Sequence, residues 1–228
     1  MQDQPKTYPS TQPDGSPPKP ILQVLLDRRA TSHFEPDLVP DEYLQAILHF
    51  AAQAPSGYNL QPWRFVVVRD PENRKRLQQA AFGQAKVGEA PVVVIFVGMK
   101  QEWRERADEV FREGAARGAG RPENVEKYQQ GAIDFLDTLP MNVWVNRHTM
   151  IAFTTMMYVA EAFGFDTAPM EGFDAAAVKR EFNIPEEAEV VALLAIGKLR
   201  APDKPYTGRF ALDQIAFTEE FGKRWKSE

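Results

Sequence analysis

The chain contains no cysteine, which excludes disulfide bonds, thiol chemistry and metal sites with cysteine ligands. Histidine is scarce as well, since His33, His49 and His148 lie far apart and show none of the short spacings of metal ligands. An excess of positive charge is also missing, because 27 basic residues against 32 acidic ones leave a net charge of −5. Nucleic-acid binding normally needs a basic surface field. We therefore expect neither a metal site nor a nucleic-acid partner.

Long apolar runs are absent too. The longest, residues 150–165, carries Glu161 and is too short to span a bilayer. The first residues show no basic segment followed by an apolar run, which is the pattern of a signal peptide. These features predict a cytoplasmic protein with no membrane partner.

Proline is concentrated at the start of the chain, with six in residues 1–20 among Ser, Thr, Gln and Gly. Such a composition cannot bury a core of its own. We predict that residues 1–19 form a flexible arm, or one that orders only against another surface. Residues 20–228 are predicted to form a single domain, because 43% apolar content supports a substantial core.

Hydrophobic periodicity predicts helices that alternate with three strands. The run VVVIFVG at 92–98 suits a strand buried on both faces at the sheet centre. A helix from Pro20 to Asp27 is expected to bury Leu22, Leu25 and Leu26. The other predicted helices cover 41–53, 71–82, 142–163 and 174–182, and the other predicted strands cover 65–69 and 189–199. A charged helical excursion is expected at 101–137, broken at 114–124, and an irregular segment is expected at 165–174. This order indicates one layered domain with helices on both faces of a sheet.

The segment APSGYNLQPWRF at 54–65 joins the helix that stops at Pro55 to a β-branched strand. Ser56, Asn59 and Gln61 supply a hydroxyl and two amides, and Gly57 is expected to let the loop bend sharply. Either these polar side chains satisfy their own backbone, or the loop holds a ligand. Trp63 and Arg64 are expected to be structural.

Four segments together resemble the nitroreductase family, the FMN-dependent NAD(P)H oxidoreductases with an α+β fold. They are LDRRATSHF at 26–34, APSGYNLQPWRF at 54–65, APMEGFD at 168–174 and TGRF at 207–210. Their order and separation match the family along nearly the whole chain from Pro20 onward. The resemblance implies a three-layer α/β/α sandwich with a central mixed, mainly antiparallel sheet, in an intertwined homodimer.

The resemblance implies FMN sites at the subunit interface. It assigns Arg28, Arg29 and Ser32 to the phosphate, ribityl chain and pyrimidine edge of FMN, and Arg209 to the phosphate. Gln84 is assigned near the pyrimidine edge, and the flavin-facing turn consists of Pro169, Met170, Glu171 and Gly172. The second subunit is expected to contribute Pro55, Ser56, Gly57 and Asn59. Ala30 departs from the serine often found there, so one hydroxyl contact is expected to be missing.

The catalytic positions implied are Gly172, whose backbone N–H would point at flavin N5, and Glu171, near the nicotinamide or substrate. Glu171 could instead be an acid at a helix N-terminus. The implied reaction is ping-pong, with hydride from NAD(P)H and reduction of nitroaromatics, quinones or related acceptors. The alternatives are a reductive dehalogenase or other enzyme on the same flavin platform, a flavin-binding protein without turnover, and a scaffold with surface arginines.

The excursion at 101–140 has two interpretations. It could form a lid with Trp103, Phe111, Tyr128 and Phe135 as contacts, or these aromatic residues could pack the helices of the excursion itself.

Overall fold

The computed structural model of the protein describes residues 7–119, 122–200, 202 and 205–225. Residues 1–6 of the predicted arm and residues 226–228 of the predicted domain lie outside this part. In chain order the elements are α1 (Ile21–Asp27), α2 (Asp41–Ala51), β1 (Trp63–Val68), α3 (Pro71–Ala80), α4 (Ala85–Glu89), β2 (Val92–Gly98), α5 (Glu102–Ala116), α6 (Val125–Asp137), α7 (Met141–Ala162), β3 (Asp166–Met170), α8 (Ala175–Phe182), β4 (Glu189–Gly197) and α9 (Leu212–Ile215). The predicted helices and strands lie close to their expected bounds.

The four strands form one sheet in the order β1-β2-β4-β3, and each neighbouring pair is antiparallel. The strand β2 is central, pairing with β1 on one side and with β4 on the other. All seven of its residues are buried, which confirms the prediction for the VVVIFVG run.

Alternating side chains of β2 enter two separate cores, as the pleat requires. Val92, Val94 and Phe96 pack in the core that contains α2 and α7. Val93, Ile95 and Val97 pack on the opposite face, with residues of α3, α4 and α8. The protein is therefore a three-layer α/β/α sandwich, and the predicted α+β class is confirmed.

The segment 165–174, predicted to be irregular, contains the strand β3. Its hydrophobic pattern is weak and Pro169 cannot donate to a ladder, so the sequence signal for a strand is poor. The strand forms because it lies at the edge of the sheet and pairs with β4 from Asp166–Gly197 to Met170–Leu193. On its other side Thr167 makes an isolated parallel bridge with Ala30.

The prediction that α1 buries its leucines is wrong. Leu22 and Leu26 are 71% and 69% exposed, and Leu25 is also exposed. Only Val24 is buried in this helix, which packs on α7. A helix of two turns presents one narrow stripe to its neighbour, so the other apolar side chains form a second face that this chain leaves uncovered.

The described part of the arm follows the surface of the same domain and contains neither a helix nor a strand. The Tyr8 ring stacks on His49 of α2 with centroids 4.5 Å apart. Near its end, the Lys19 backbone N–H donates to the Ala162 carbonyl oxygen at 2.9 Å.

Candidate functional site

The loop between α2 and β1 has unusual backbone geometry. Tyr58, Asn59 and Gln61 all have left-handed φ values, of 54°, 56° and 46°. Side-chain-bearing residues rarely adopt this region, and such strain concentrates at functional sites. The tight turn Gly57–Asn59 begins at Gly57, although Gly57 itself has no left-handed φ. An added Cβ on Gly57 would lie 3.3 Å from His148 Nε2, which is a crowded contact.

Several polar side chains of this loop hydrogen-bond within it. The Gln61 backbone N–H donates to Ser56 Oγ at 2.9 Å, and Gln61 Nε2 donates to the Asn59 carbonyl oxygen at 3.1 Å. The self-satisfied interpretation therefore holds for Ser56 and Gln61. Trp63 is buried and Arg64 pairs with Glu102, so both are structural as predicted.

Asn59 and Pro55 remain exposed on the loop. Asn59 and Gln61, with Gln53, line a cavity of about 290 Å³ against α5. Its far wall includes Glu113 and Arg117, which form an ion pair with the Arg117 Nε to Glu113 Oε1 distance at 2.7 Å.

Three arginines line one pocket of about 230 Å³, two of them consecutive in the sequence and the third near the end of the chain. They are Arg28, Arg29 and Arg209, and the remaining lining residues are Ala30, Pro205, Tyr206 and Thr207. The Nη1 atom of Arg28 is buried and has no hydrogen-bond partner among the described residues. Guanidinium groups that converge on a pocket match the geometry and charge of a phosphate or carboxylate.

The arginine segment is fixed to the start of β3. Besides the Ala30–Thr167 bridge, the Thr31 backbone N–H donates to the Thr167 carbonyl oxygen at 2.9 Å. Ser32 follows Thr31 and is half-buried. The arginine segment is thus anchored at the first residues of β3, and the turn at Gly172 follows the last.

The turn after β3 presents its backbone. Met170 is buried in the core and Pro169 is half-buried, whereas Glu171 and Gly172 are exposed. Gln84 Nε2 donates to the Gly172 carbonyl oxygen at 2.7 Å, so this predicted site residue supports the turn. A Cβ on Gly172 would meet only Gln84 Nε2, at an ordinary 3.5 Å. The described chain therefore leaves room for a side chain at position 172.

Glu171 does not cap the helix that follows. The N-cap of α8 is Asp174, whose Oδ1 accepts from the backbone N–H groups of Ala176 at 3.0 Å and Ala177 at 3.1 Å. The Asp174 N–H in turn donates to the Ala80 carbonyl oxygen at 2.8 Å, which ties the turn to α3.

Glu161 is a buried acid behind the arginine segment, only 5% exposed. Burial raises the pKa of its carboxyl from 4.5 to about 7. The Thr167 hydroxyl, which donates to Glu161 Oε1 at 2.9 Å, opposes that rise, Asp166 adds to it, and Lys19 and Arg28 oppose it. Sequence reasoning treated Glu161 only as a break in an apolar run. The signal in the sequence that pointed to a buried carboxyl was an acidic residue within a largely apolar helix.

The excursion helices line a further cavity, of about 350 Å³, beside the loop. Its wall includes Tyr58, Lys127 and Tyr128. Trp103 is buried and its Nε1 donates to the Lys100 carbonyl oxygen at 3.0 Å, as the packing interpretation predicts. Tyr128 and Phe135 are exposed, so they do not pack the excursion in this way.

The described residues hold neither a candidate metal cluster nor a membrane-spanning helix. No group of three or more His, Cys, Asp or Glu side chains there could hold a metal ion. No helix in the same residues has the length and apolar character needed to cross a membrane.

Comparison with known proteins gives a consistent result. The family model described as "Nitroreductase family" matches residues 25–198. An "NADH dehydrogenase" of Thermus thermophilus is 37% identical over 181 residues, covering 78% of this chain and 87% of that protein. A Bacillus subtilis protein proposed to be an NAD(P)H nitroreductase is 32% identical over 182 residues, covering 78% and 88%. The structure of a proposed nitroreductase from Exiguobacterium sibiricum in complex with FMN superposes with a TM-score of 0.81, at 23% identity, covering 88% of this chain and 98% of that chain.

Proposed function

Because the chain belongs to the nitroreductase family, we propose that it is an FMN-dependent oxidoreductase that uses NAD(P)H to reduce electrophilic acceptors. Nitroaromatics, quinones and related compounds are the acceptor class. The observation that carries the proposal is the pocket where Arg28, Arg29 and Arg209 converge. The relatives named for NADH or NAD(P)H support the choice of reductant.

The residues present fit a flavin phosphate. The buried, unpartnered Arg28 Nη1 is a donor that a phosphate oxygen would satisfy, and leaving such a donor unsatisfied is costly. Arg29 and Arg209 would add charge from the other walls of the pocket. The exposed turn at Gly172 would then receive the ring system without a side-chain clash.

The protein itself would supply binding and orientation. The chemistry that FMN would supply when bound is a ping-pong hydride transfer, with NAD(P)H as the reductant and the acceptor as the oxidant. The Gly172 backbone N–H would donate toward the ring, and Gln84 would hold the turn through the Gly172 carbonyl oxygen. Glu171, exposed beside it, would face the nicotinamide or acceptor. We propose a cytoplasmic location, since the nicotinamide reductant is available there.

We further propose a homodimer in which the partner's copy of the loop completes each site. The cavity lined by Asn59 and the pocket lined by Arg28 share no lining residue. Pro55, Ser56, Gly57 and Asn59 would therefore reach the flavin from the second subunit. The uncovered apolar face of α1 supplies surface that a dimer would bury.

Sedimentation of the full chain tests the dimer. The double variant Leu22→Glu/Leu26→Glu should sediment as a monomer and lose FMN, because it places charge on the face to be buried. Leu38→Glu, at a leucine 72% exposed outside α1, is the matched control. Monomeric wild-type protein that binds FMN fully would contradict the shared site.

The acceptor is proposed to bind in the cavity beside Tyr58, Lys127 and Tyr128. Two exposed phenol rings suit a planar aromatic compound, and the lysine ammonium suits the oxygens of a nitro group or quinone. Lys127→Ala should raise KM for the acceptor several-fold and leave KM for the reductant unchanged. Equal changes in both values would contradict this assignment.

The central experiment adds FMN to purified apoprotein. A yellow protein with quenched flavin fluorescence excludes a scaffold. Bleaching by NADH or NADPH and recovery of colour with a nitroaromatic or quinone separates an enzyme from a flavin carrier. Bound FMN that no reductant bleaches would refute the proposed activity.

A further inference from the structure

The Tyr206 ring contacts two of the arginines that line the pocket. The Arg29 guanidinium carbon is 4.5 Å from the centroid of the Tyr206 ring, and that of Arg209 is 5.5 Å from the same centroid. Both distances are within the range of a cation–π contact. One aromatic ring therefore contacts two of the three cations around this pocket.

The two guanidinium groups are also held by backbone carbonyl oxygens. Arg29 Nη1 donates to Leu26 and Arg28 carbonyl oxygens at 2.7 and 2.8 Å, and Arg209 Nη1 donates to the Gly208 carbonyl oxygen at 2.7 Å. These bonds orient each side chain against its own segment. The Tyr206 ring is the contact that the two segments share.

Like charges around a small pocket repel each other, and the repulsion is greatest before an anion binds. The negative face of an aromatic ring offsets part of it, because its quadrupole attracts each cation. A rigid ring also loses little conformational entropy when it contacts both cations. The pocket can thus hold its arginines in a binding geometry without an anion.

We infer that Tyr206 is a positioning residue whose ring holds both Arg29 and Arg209 in place for a phosphate dianion. This inference rests on the proposed function, since the phosphate is that of FMN. It assigns the Tyr206 ring a role in distinguishing phosphorylated from unphosphorylated flavin. The phenol hydroxyl has no part in that role.

The test measures flavin affinity of full-chain apoprotein by fluorescence quenching, with FMN and with riboflavin, which lacks the phosphate. Tyr206→Leu should weaken FMN binding about five- to ten-fold, from the loss of two exposed cation–π contacts, and leave riboflavin binding unchanged. Tyr206→Phe keeps the ring and should bind FMN as the wild type does. Phe210→Leu, at an exposed aromatic residue of the same segment outside the pocket lining, should also match the wild type.

The outcomes separate the inference from the function on which it rests. Wild-type protein that does not prefer FMN over riboflavin would refute the phosphate site, and with it both proposals. A wild type that prefers FMN, with Tyr206→Leu unchanged, would refute the inference alone. Equal losses for both flavins in Tyr206→Leu, or a loss in Tyr206→Phe equal to that in Tyr206→Leu, would also overturn it, because the effect would not come from the ring and the phosphate.

Discussion

Glu161→Gln should change the pH dependence of stability. In the folded protein burial raises the pKa of the Glu161 carboxyl to about 7, against 4.5 for the free group. Between these two pH values the folded state keeps a proton that the unfolded chain has released. The free energy of unfolding contributed by this group therefore falls as pH rises through the window, and the loss is complete above about pH 7.

The size of the effect follows from the shift. A rise from 4.5 to about 7 corresponds to about 3 kcal/mol. Glutamine has nearly the same shape and stays neutral, and its side-chain oxygen can still accept the Thr167 hydroxyl. We expect Glu161→Gln to be more stable than the wild type by less than about 1 kcal/mol at pH 5 and by about 3 kcal/mol at pH 8.

Urea denaturation of the apoprotein at pH 5, 6, 7 and 8 measures this difference. With m-values of roughly 1–3 kcal/mol per molar urea, the midpoints should separate by about 1 M or more at pH 8. Subtracting the free energy of unfolding of the wild type from that of the variant at each pH removes the contribution of the other titrating groups. Glu187→Gln, at an exposed glutamate, is the control. A difference that stays constant from pH 5 to pH 8 would refute the raised pKa.

Three further outcomes are expected. Arg28→Ala should weaken FMN binding by roughly 1.5–3 kcal/mol without affecting riboflavin, in a fluorescence titration; unchanged FMN affinity would refute its assignment. Gly57→Ala should lower the free energy of unfolding by about 1–3 kcal/mol, because its Cβ would crowd His148. Gly131→Ala, exposed within α6 and meeting no atom within 4 Å, should instead raise it by up to about 1 kcal/mol in the same urea series. Asp174→Ala should lower the free energy of unfolding by about 1 kcal/mol, because the N-cap of α8 is lost. Asp174→Asn should retain most of that stability, because asparagine also caps helices. Equal decreases in melting temperature for the two variants would contradict the capping role.

The central strand shows why part of the fold could be predicted. A short run rich in β-branched residues and bounded by turn signals favours a buried strand, and β2 is buried on both faces as expected. The edge strand β3 could not be predicted in this way, because its stability comes from pairing with β4 rather than from its own residues. The prediction that the leucines of α1 are buried was wrong for a related reason, since periodicity identifies an apolar face but does not identify what covers it.

The loop after α2 could also be predicted only in part. Its supply of hydroxyl and amide groups is visible in the sequence, as is its position before a buried strand. The left-handed geometry at Tyr58, Asn59 and Gln61 is not, because these residue types do not require it. That geometry belongs to the folded loop, in which the Gln61 backbone N–H also donates to Ser56 Oγ.

The sequence by itself determined the fold class, the order of the main elements and the family resemblance, because these depend on local periodicity and on motifs read along the chain. The family resemblance also grouped Arg28, Arg29 and Arg209 as FMN-binding positions. Only the tertiary structure decided that the Tyr206 ring contacts two of these arginines and that Glu161 is buried behind them. Contacts such as that of Arg29 with Tyr206 join residues far apart in sequence. Their geometry depends on how helices and strands pack, which no local pattern encodes.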